Sequence, residues 1–142
     1  MSPGRVALPQ RILIVDDEEA ILAAVKDYLE SFDWSVDCAR SVPEAHELID
    51  GEPYSVVVAD LRLSPTEAIG GLEVIARVRR ECPGTRTLLL TAYGSSQVEA
   101  EARRLGVDAV LQKPQPLSEL VKIVFALVTP AQRDRSPARE GE

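Results

Sequence analysis

The chain has 142 residues, of which 45% are hydrophobic and 27% charged, and a net charge of -7; this fits one globular domain with a full core. No apolar run approaches the ~18 residues a membrane span needs, the first residues lack the long apolar stretch of a secretory signal, and the negative charge disfavours nonspecific attraction to DNA or anionic lipid. Cys38 and Cys82 have no paired spacing, so a reducing, cytoplasmic setting with no membrane partner is expected.

Residues 1–10, with Pro3, Gly4 and Pro9, read as a loose leader. The run Ile12-Leu13-Ile14-Val15 predicts a first strand, which ends in Asp16 and Asp17. Ile21, Val25, Leu29 and Phe32, with Leu22 beside them, recur on one face of a first helix. A second strand is expected over 34–39, with Trp34 as a packing residue at its start. Ser41, two residues before Pro43, signals the start of a second helix, and Gly51 its exit. A third strand over 54–59 ends in Asp60, and Pro83-Gly84 closes the helix after it. The fourth strand, 86–91, ends in Thr91, and Ser95 and Ser96 open the next helix before Val98. The fifth strand, 107–111, is followed by Lys113. Leu117, Leu120, Val121, Val124 and Leu127 share a face of the last helix, with Ser118 at its opening. Residues 129–142, with two prolines and balanced charge, read as a disordered tail.

Most of the strand runs are unbroken by polar residues. That favours strands covered on both faces, hence a parallel sheet. Strict alternation of strand and helix then predicts a doubly wound α/β domain over 11–128, with right-handed crossovers and helices on both faces. All strand C-termini in such a sheet lie along one edge. Asp16, Asp17, Asp60, Thr91 and Lys113 are expected to meet there. Taken singly they read as a helix cap, a turn residue, a strand-end threonine and a solvated lysine. Together they supply metal-binding carboxylates, a nucleophile, a hydroxyl and an ammonium.

The segments Ile12 to Glu18, Val56 to Leu63, Leu89 to Gly94 and Leu111 to Pro114, in this order and spacing, resemble the receiver domain of two-component response regulators over roughly residues 10–128. The resemblance implies a flavodoxin-like, five-stranded parallel sheet in the order 2-1-3-4-5. It implies Asp60 as the phosphoacceptor, attacking a phosphohistidine to form an acyl phosphate. Asp17, Asp60 and the backbone carbonyl of Arg62 are expected to ligate Mg²⁺, with Asp16 holding a metal-bound water. Lys113, the Thr91 hydroxyl and the Ala92 N–H are expected to bind the phosphoryl oxygens. Thr91, Tyr93 and Val110 fall at switch positions. The implied partners are a sensor histidine kinase or histidine phosphotransfer protein and an unknown output protein, with no direct nucleic acid and a monomer or weak dimer. Catalysis is expected only of the chain's own phosphorylation and slow autodephosphorylation. The alternative is a pseudo-receiver, an interaction module that never takes a phosphoryl group. A haloacid-dehalogenase-like phosphatase shares the residue types, but its first strand ends in Asp-x-Asp, whereas this one ends Asp16-Asp17-Glu18-Glu19.

Three positions depart from the family pattern. The loop after Asp60 is longer by about three residues, with Pro65 five and Gly71 eleven positions beyond the aspartate. Val110 stands where an aromatic ring usually swings inward, and Tyr93 is expected to take over part of that gating. Gln115 stands where an aromatic is common.

Overall fold

The structure, a computed structural model, describes residues 10–92, 96–113 and 115–128. The expectations for Tyr93, for residues 1–9 and for residues 129–142 lie outside the described residues. Five strands, β1 (Arg11–Val15), β2 (Ser35–Ala39), β3 (Val56–Asp60), β4 (Arg86–Thr91) and β5 (Ala109–Gln112), alternate with helices α1 (Glu19–Glu30), α2 (Val42–Ile49), α3 (Gly70–Glu81), α4 (Ser96–Leu105) and α5 (Leu117–Leu127). The strands form one parallel sheet in the order β2-β1-β3-β4-β5. This is the doubly wound arrangement that the alternation predicts. No helix among the described residues is long and apolar enough to cross a membrane.

The period of two along each strand divides the interior into two cores. Leu13, Val15, Val57, Ala59 and Leu89 face α2, α3 and α4, where they meet Val42, Ile49, Leu72, Ile75 and Ala102. Ile12, Ile14, Val56, Val58 and Leu88 face α1 and α5, where they meet Leu22, Val25, Leu120 and Val124. Central strands apolar on both faces explain the unbroken runs in the sequence. Each such side chain stabilises the fold by roughly 1.5–3 kcal/mol. The start of α2 carries its sequence signal intact. Ser41 Oγ accepts from Glu44 N at 3.3 Å, and Glu44 Oε1 accepts from Arg40 N at 2.8 Å.

Some local expectations shift. Phe32 lies beyond the end of α1 and is 40% exposed. It packs edge-on against Tyr28 and Phe125 (ring centroids 5.4 and 5.2 Å apart) rather than joining the helix face. Trp34 is buried just before β2 and meets Phe125 at 4.9 Å. Pro116, not Ser118, caps α5: its extended backbone and its carbonyl, which accepts from Glu119 N at 3.0 Å, start the helix at Leu117, one residue before Ser118. Gln10, read as the end of the leader, is tied down, accepting from Ser35 N through its carbonyl and from Ser55 Oγ through its side chain. Asp60 is the last residue of β3 itself, because it pairs with Leu90 in the ladder.

The chain approaches itself most closely where α3 begins. Gly71 N donates to Leu61 O at 2.9 Å, and a Cβ on Gly71 would lie 2.3 Å from the backbone oxygen of Asp60. Backbone on both sides leaves nothing to yield. Gly71→Ala is therefore expected to destabilise the fold by about 3 kcal/mol or more. Gly84→Ala, where a Cβ meets nothing within 4 Å, is expected to stay within about 0.5 kcal/mol of wild type. Urea unfolding of the two variants compares them directly.

Candidate functional site

Register brings the chemistry together. Val15 pairs with Ala59, which sets Asp16 level with Asp60 on the neighbouring strand. Asp60 pairs with Leu90, and Thr91 with Gln112, so Thr91 and Lys113 follow one step along the same edge. Backbone bonds carry the pairing past the strand ends: Asp16 N to Ala39 O at 3.0 Å, Leu61 N to Leu90 O at 2.7 Å and Lys113 N to Thr91 O at 2.8 Å. The chain leaves β1 toward β2 on one side and enters β3 on the other, so this edge is the topological switch point of the sheet.

The Lys113 ammonium sits among carboxylates. Its Nζ lies 3.2 Å from Asp60 Oδ2, 3.4 Å from Glu18 Oε1 and 3.6 Å from Asp16 Oδ2. Asp16 is 0% exposed and Asp60 7%, while Asp17 and Glu18 reach solvent. Asp16 Oδ1 accepts from Glu18 N at 2.9 Å, so it also performs the turn-forming role that a strand-end aspartate ordinarily has. Its Oδ2 is buried without a hydrogen-bond partner. Asp16, Asp17 and Asp60 each offer one oxygen, and these all lie within 4.8 Å of one another. Above them opens a cleft of about 410 Å³ whose walls include Asp60, Arg62, Ser64, Pro65, Thr91 and Lys113.

The family model of the response regulator receiver domain matches residues 12–125. The chain belongs to that family. Among curated relatives, the alginate biosynthesis transcriptional regulatory protein AlgB of Pseudomonas aeruginosa is 36% identical over 73% of this chain and 22% of its own length. The transcriptional regulatory protein TrcR of Mycobacterium tuberculosis is 35% identical over 93% of this chain and 50% of its own. A CheY-like response regulator receiver domain protein from Methanospirillum hungatei JF-1 superposes with a TM-score of 0.80 at 27% identity, over 89% of this chain and 99% of that one. This receiver thus spans half or less of each of these two relatives' length.

One expectation is corrected by these relatives. The sequence reading left nucleic acid out of the partners, yet AlgB and TrcR are transcriptional regulatory proteins. The net charge of -7 describes the surface of this receiver alone and carries no information about the remainder of a longer regulator.

The expected site residues Asp16, Asp17, Asp60, Thr91 and Lys113 meet at one edge, and Arg62 and Ala92 line the same cleft. Val110 stands apart, 41% exposed on the edge strand β5. Sequence reasoning passed over Glu18 as a partner of Lys113, although a third consecutive acid at a strand end was a usable signal. It also gave no role to Glu67, whose carboxylate accepts from Val42 N at 3.3 Å, because nothing local links a loop glutamate to a helix start 25 residues earlier.

Electrostatics follow from burial and crowding. Burial first, and the neighbouring Asp60 charge after it, lift Asp16 from the ordinary 3.8 to about 6, against the pull of the Glu18 N–H and Lys113. Burial also raises Asp60, with Lys113 opposing it. Burial disfavours the Lys113 ammonium, but Asp16, Asp60 and Glu18 together outweigh it and raise its pKa. A buried carboxylate oxygen that accepts no hydrogen bond, within a cluster of oxygen donors, suits a small hard cation, and Mg²⁺ fits this donor set.

The raised Asp16 pKa fixes a sign. In metal-free protein the folded state holds the Asp16 proton more tightly than the unfolded chain. Its contribution to stability is present below pH 3.8 and is lost as pH rises through about 6. Asp16→Asn should remove that loss. Denaturant unfolding in chelator is expected to show the variant gaining about 2–3 kcal/mol on wild type between pH 4 and pH 7; parallel pH profiles would contradict it.

Proposed function

We propose that Asp60 takes a phosphoryl group from the phosphohistidine of a sensor kinase or phosphotransfer protein, and that the phosphorylated receiver presents an altered surface to its output partner. One observation carries this reading: a nearly buried carboxylate at a strand end with an ammonium 3.2 Å from Oδ2 and two further carboxylates grouped beside it. An Asp60 oxygen attacks phosphorus, the N–P bond breaks, and the electron pair leaves with the imidazole, giving an acyl phosphate. Lys113 orients the carboxylate beforehand and pairs with a phosphoryl oxygen afterwards. Thr91, through its hydroxyl, and Ala92, through its N–H, take the other oxygens. Asp17, Asp60 and the Arg62 backbone carbonyl would hold Mg²⁺, and Asp16 would support it from beside them. When bound, Mg²⁺ neutralises charge on the transferring group.

Phosphorylation biases a two-state equilibrium by adding charge and acceptors beside Thr91 and Lys113. Val110, on the edge strand, pairs with Leu89 two residues before the Thr91 pairing and, having no ring to swing, leaves part of the gating to Tyr93. Slow hydrolysis of the acyl phosphate resets the switch. Two free cysteines among the described residues support a reducing, cytoplasmic setting.

Incubation with Mg²⁺ and a small acyl-phosphate donor tests the assignment and separates it from a pseudo-receiver. Intact mass is expected to rise by one phosphoryl group in wild type and not at all in Asp60→Asn. Lys113→Ala should slow uptake by roughly tenfold or more, and chelation of Mg²⁺ should stop it. A wild-type mass that stays unchanged would refute the proposal.

A further inference from the structure

The long loop between β3 and α3 is built, not slack. Leu63 is 1% exposed in the core under α2 and α3. Ser64 and Glu67 form an antiparallel bridge, with Glu67 N donating to Ser64 O at 2.9 Å and Leu63 N to Glu67 O at 3.0 Å. Ser64 Oγ and Thr66 Oγ1 share a hydrogen bond of 3.1 Å, and Gly70 N donates to Glu67 O at 3.1 Å. The result is a closed turn whose first two residues, Ser64 and Pro65, form part of the wall of the Asp60 cleft.

One side chain ties this turn to another element. Glu67 Oε1 accepts at 3.3 Å from the backbone N–H of Val42, the first residue of α2. That N–H is an orphan donor of the helix start, and the adjacent Ser41 hydroxyl is committed to Glu44 N. A carboxylate at a helix N-terminus is further favoured by the helix dipole. The loop is thereby held at both its base, by Leu63, and its turn, by Glu67.

We propose that Glu67 is a positioning residue which, by pinning the turn to α2, holds Ser64 and Pro65 over Asp60 and shields the acyl phosphate from water. The proposal rests on the reading that Asp60 is phosphorylated. The reaction restrained is hydrolysis: a water oxygen bonds to phosphorus, the bond from phosphorus to the Asp60 oxygen breaks, its electron pair restores the carboxylate, and inorganic phosphate and a proton leave. A wall that excludes water from one side of the phosphoryl group slows this without touching the nucleophile. The extra loop length then sets how long the signal lasts.

The test phosphorylates wild type, Glu67→Ala, Glu67→Gln and Pro65→Gly with a small acyl-phosphate donor and Mg²⁺, removes the donor, and follows loss of the phosphoryl mass over time. Glu67→Ala and Pro65→Gly are expected to lose it about fivefold faster than wild type, whereas Glu67→Gln, whose amide oxygen still accepts from Val42 N, stays within about twofold. Pro65 is exposed at the turn, so Pro65→Gly carries the test should Glu67→Ala fail to fold. Decay of Pro65→Gly at the wild-type rate overturns the wall. Equal acceleration in Glu67→Gln and Glu67→Ala overturns the hydrogen-bond clamp. No uptake by wild type would instead strike the assignment of Asp60 itself, and the shield would fall with it.

Discussion

One ammonium shared among several carboxylates is the constraint on which this receiver depends. Lys113 faces Asp60, Glu18 and Asp16 within 3.6 Å, and Asp17 completes the acidic group. The pocket is short of positive charge before any ligand arrives. An incoming phosphoryl group is itself an anion, so it is repelled unless a cation enters with it. The same shortage gives Lys113 a choice of partners. The proposed phosphoryl group on Asp60 would compete for the ammonium with Asp16 and Glu18, which also pair with it.

The sheet makes that crowding tolerable. Asp16 and Asp60 sit on central strands whose preceding residues are apolar on both faces and locked between two helical layers. Neither acid can retreat to solvent without unpairing its strand. Burial of Asp16 is a local cost borne by packing elsewhere, as functional sites commonly require. Gly71 belongs to the same compromise: α3 starts so close to Asp60 that only a hydrogen fits between the two backbones.

Much of this was legible in the residues because the decisive groups end strands. Unbroken runs such as Val56 to Ala59 announce burial, and a carboxylate directly after them has no packing reason to be there. Parallel register then does the rest: Asp16, Asp60, Thr91 and Lys113 align because their strands align. What stayed hidden depends on side chains crossing between elements. Glu18 reaches Lys113 across 95 positions, and Glu67 reaches Val42 across 25. No periodicity or spacing reports such contacts. Phe32 misled for a different reason: it keeps the helical spacing of Val25 and Leu29, but the helix ends before it, and an aromatic cluster claims it instead. The start of α5 shifted because the extended Pro116, whose carbonyl already accepts from Glu119 N, begins the helix before Ser118.

Trp34, the chain's single tryptophan, precedes β2 and therefore lies at the opposite edge of the sheet from Asp60, roughly a strand length or about 15 Å away. Its indole is wedged between Phe32 and Phe125, so its emission records whether the base of α1 and the end of α5 remain packed. This molecule carries a fluorescent witness to its own unfolding, placed away from the acidic edge. Any spectral change on phosphorylation would then be a message relayed through the whole thickness of the protein.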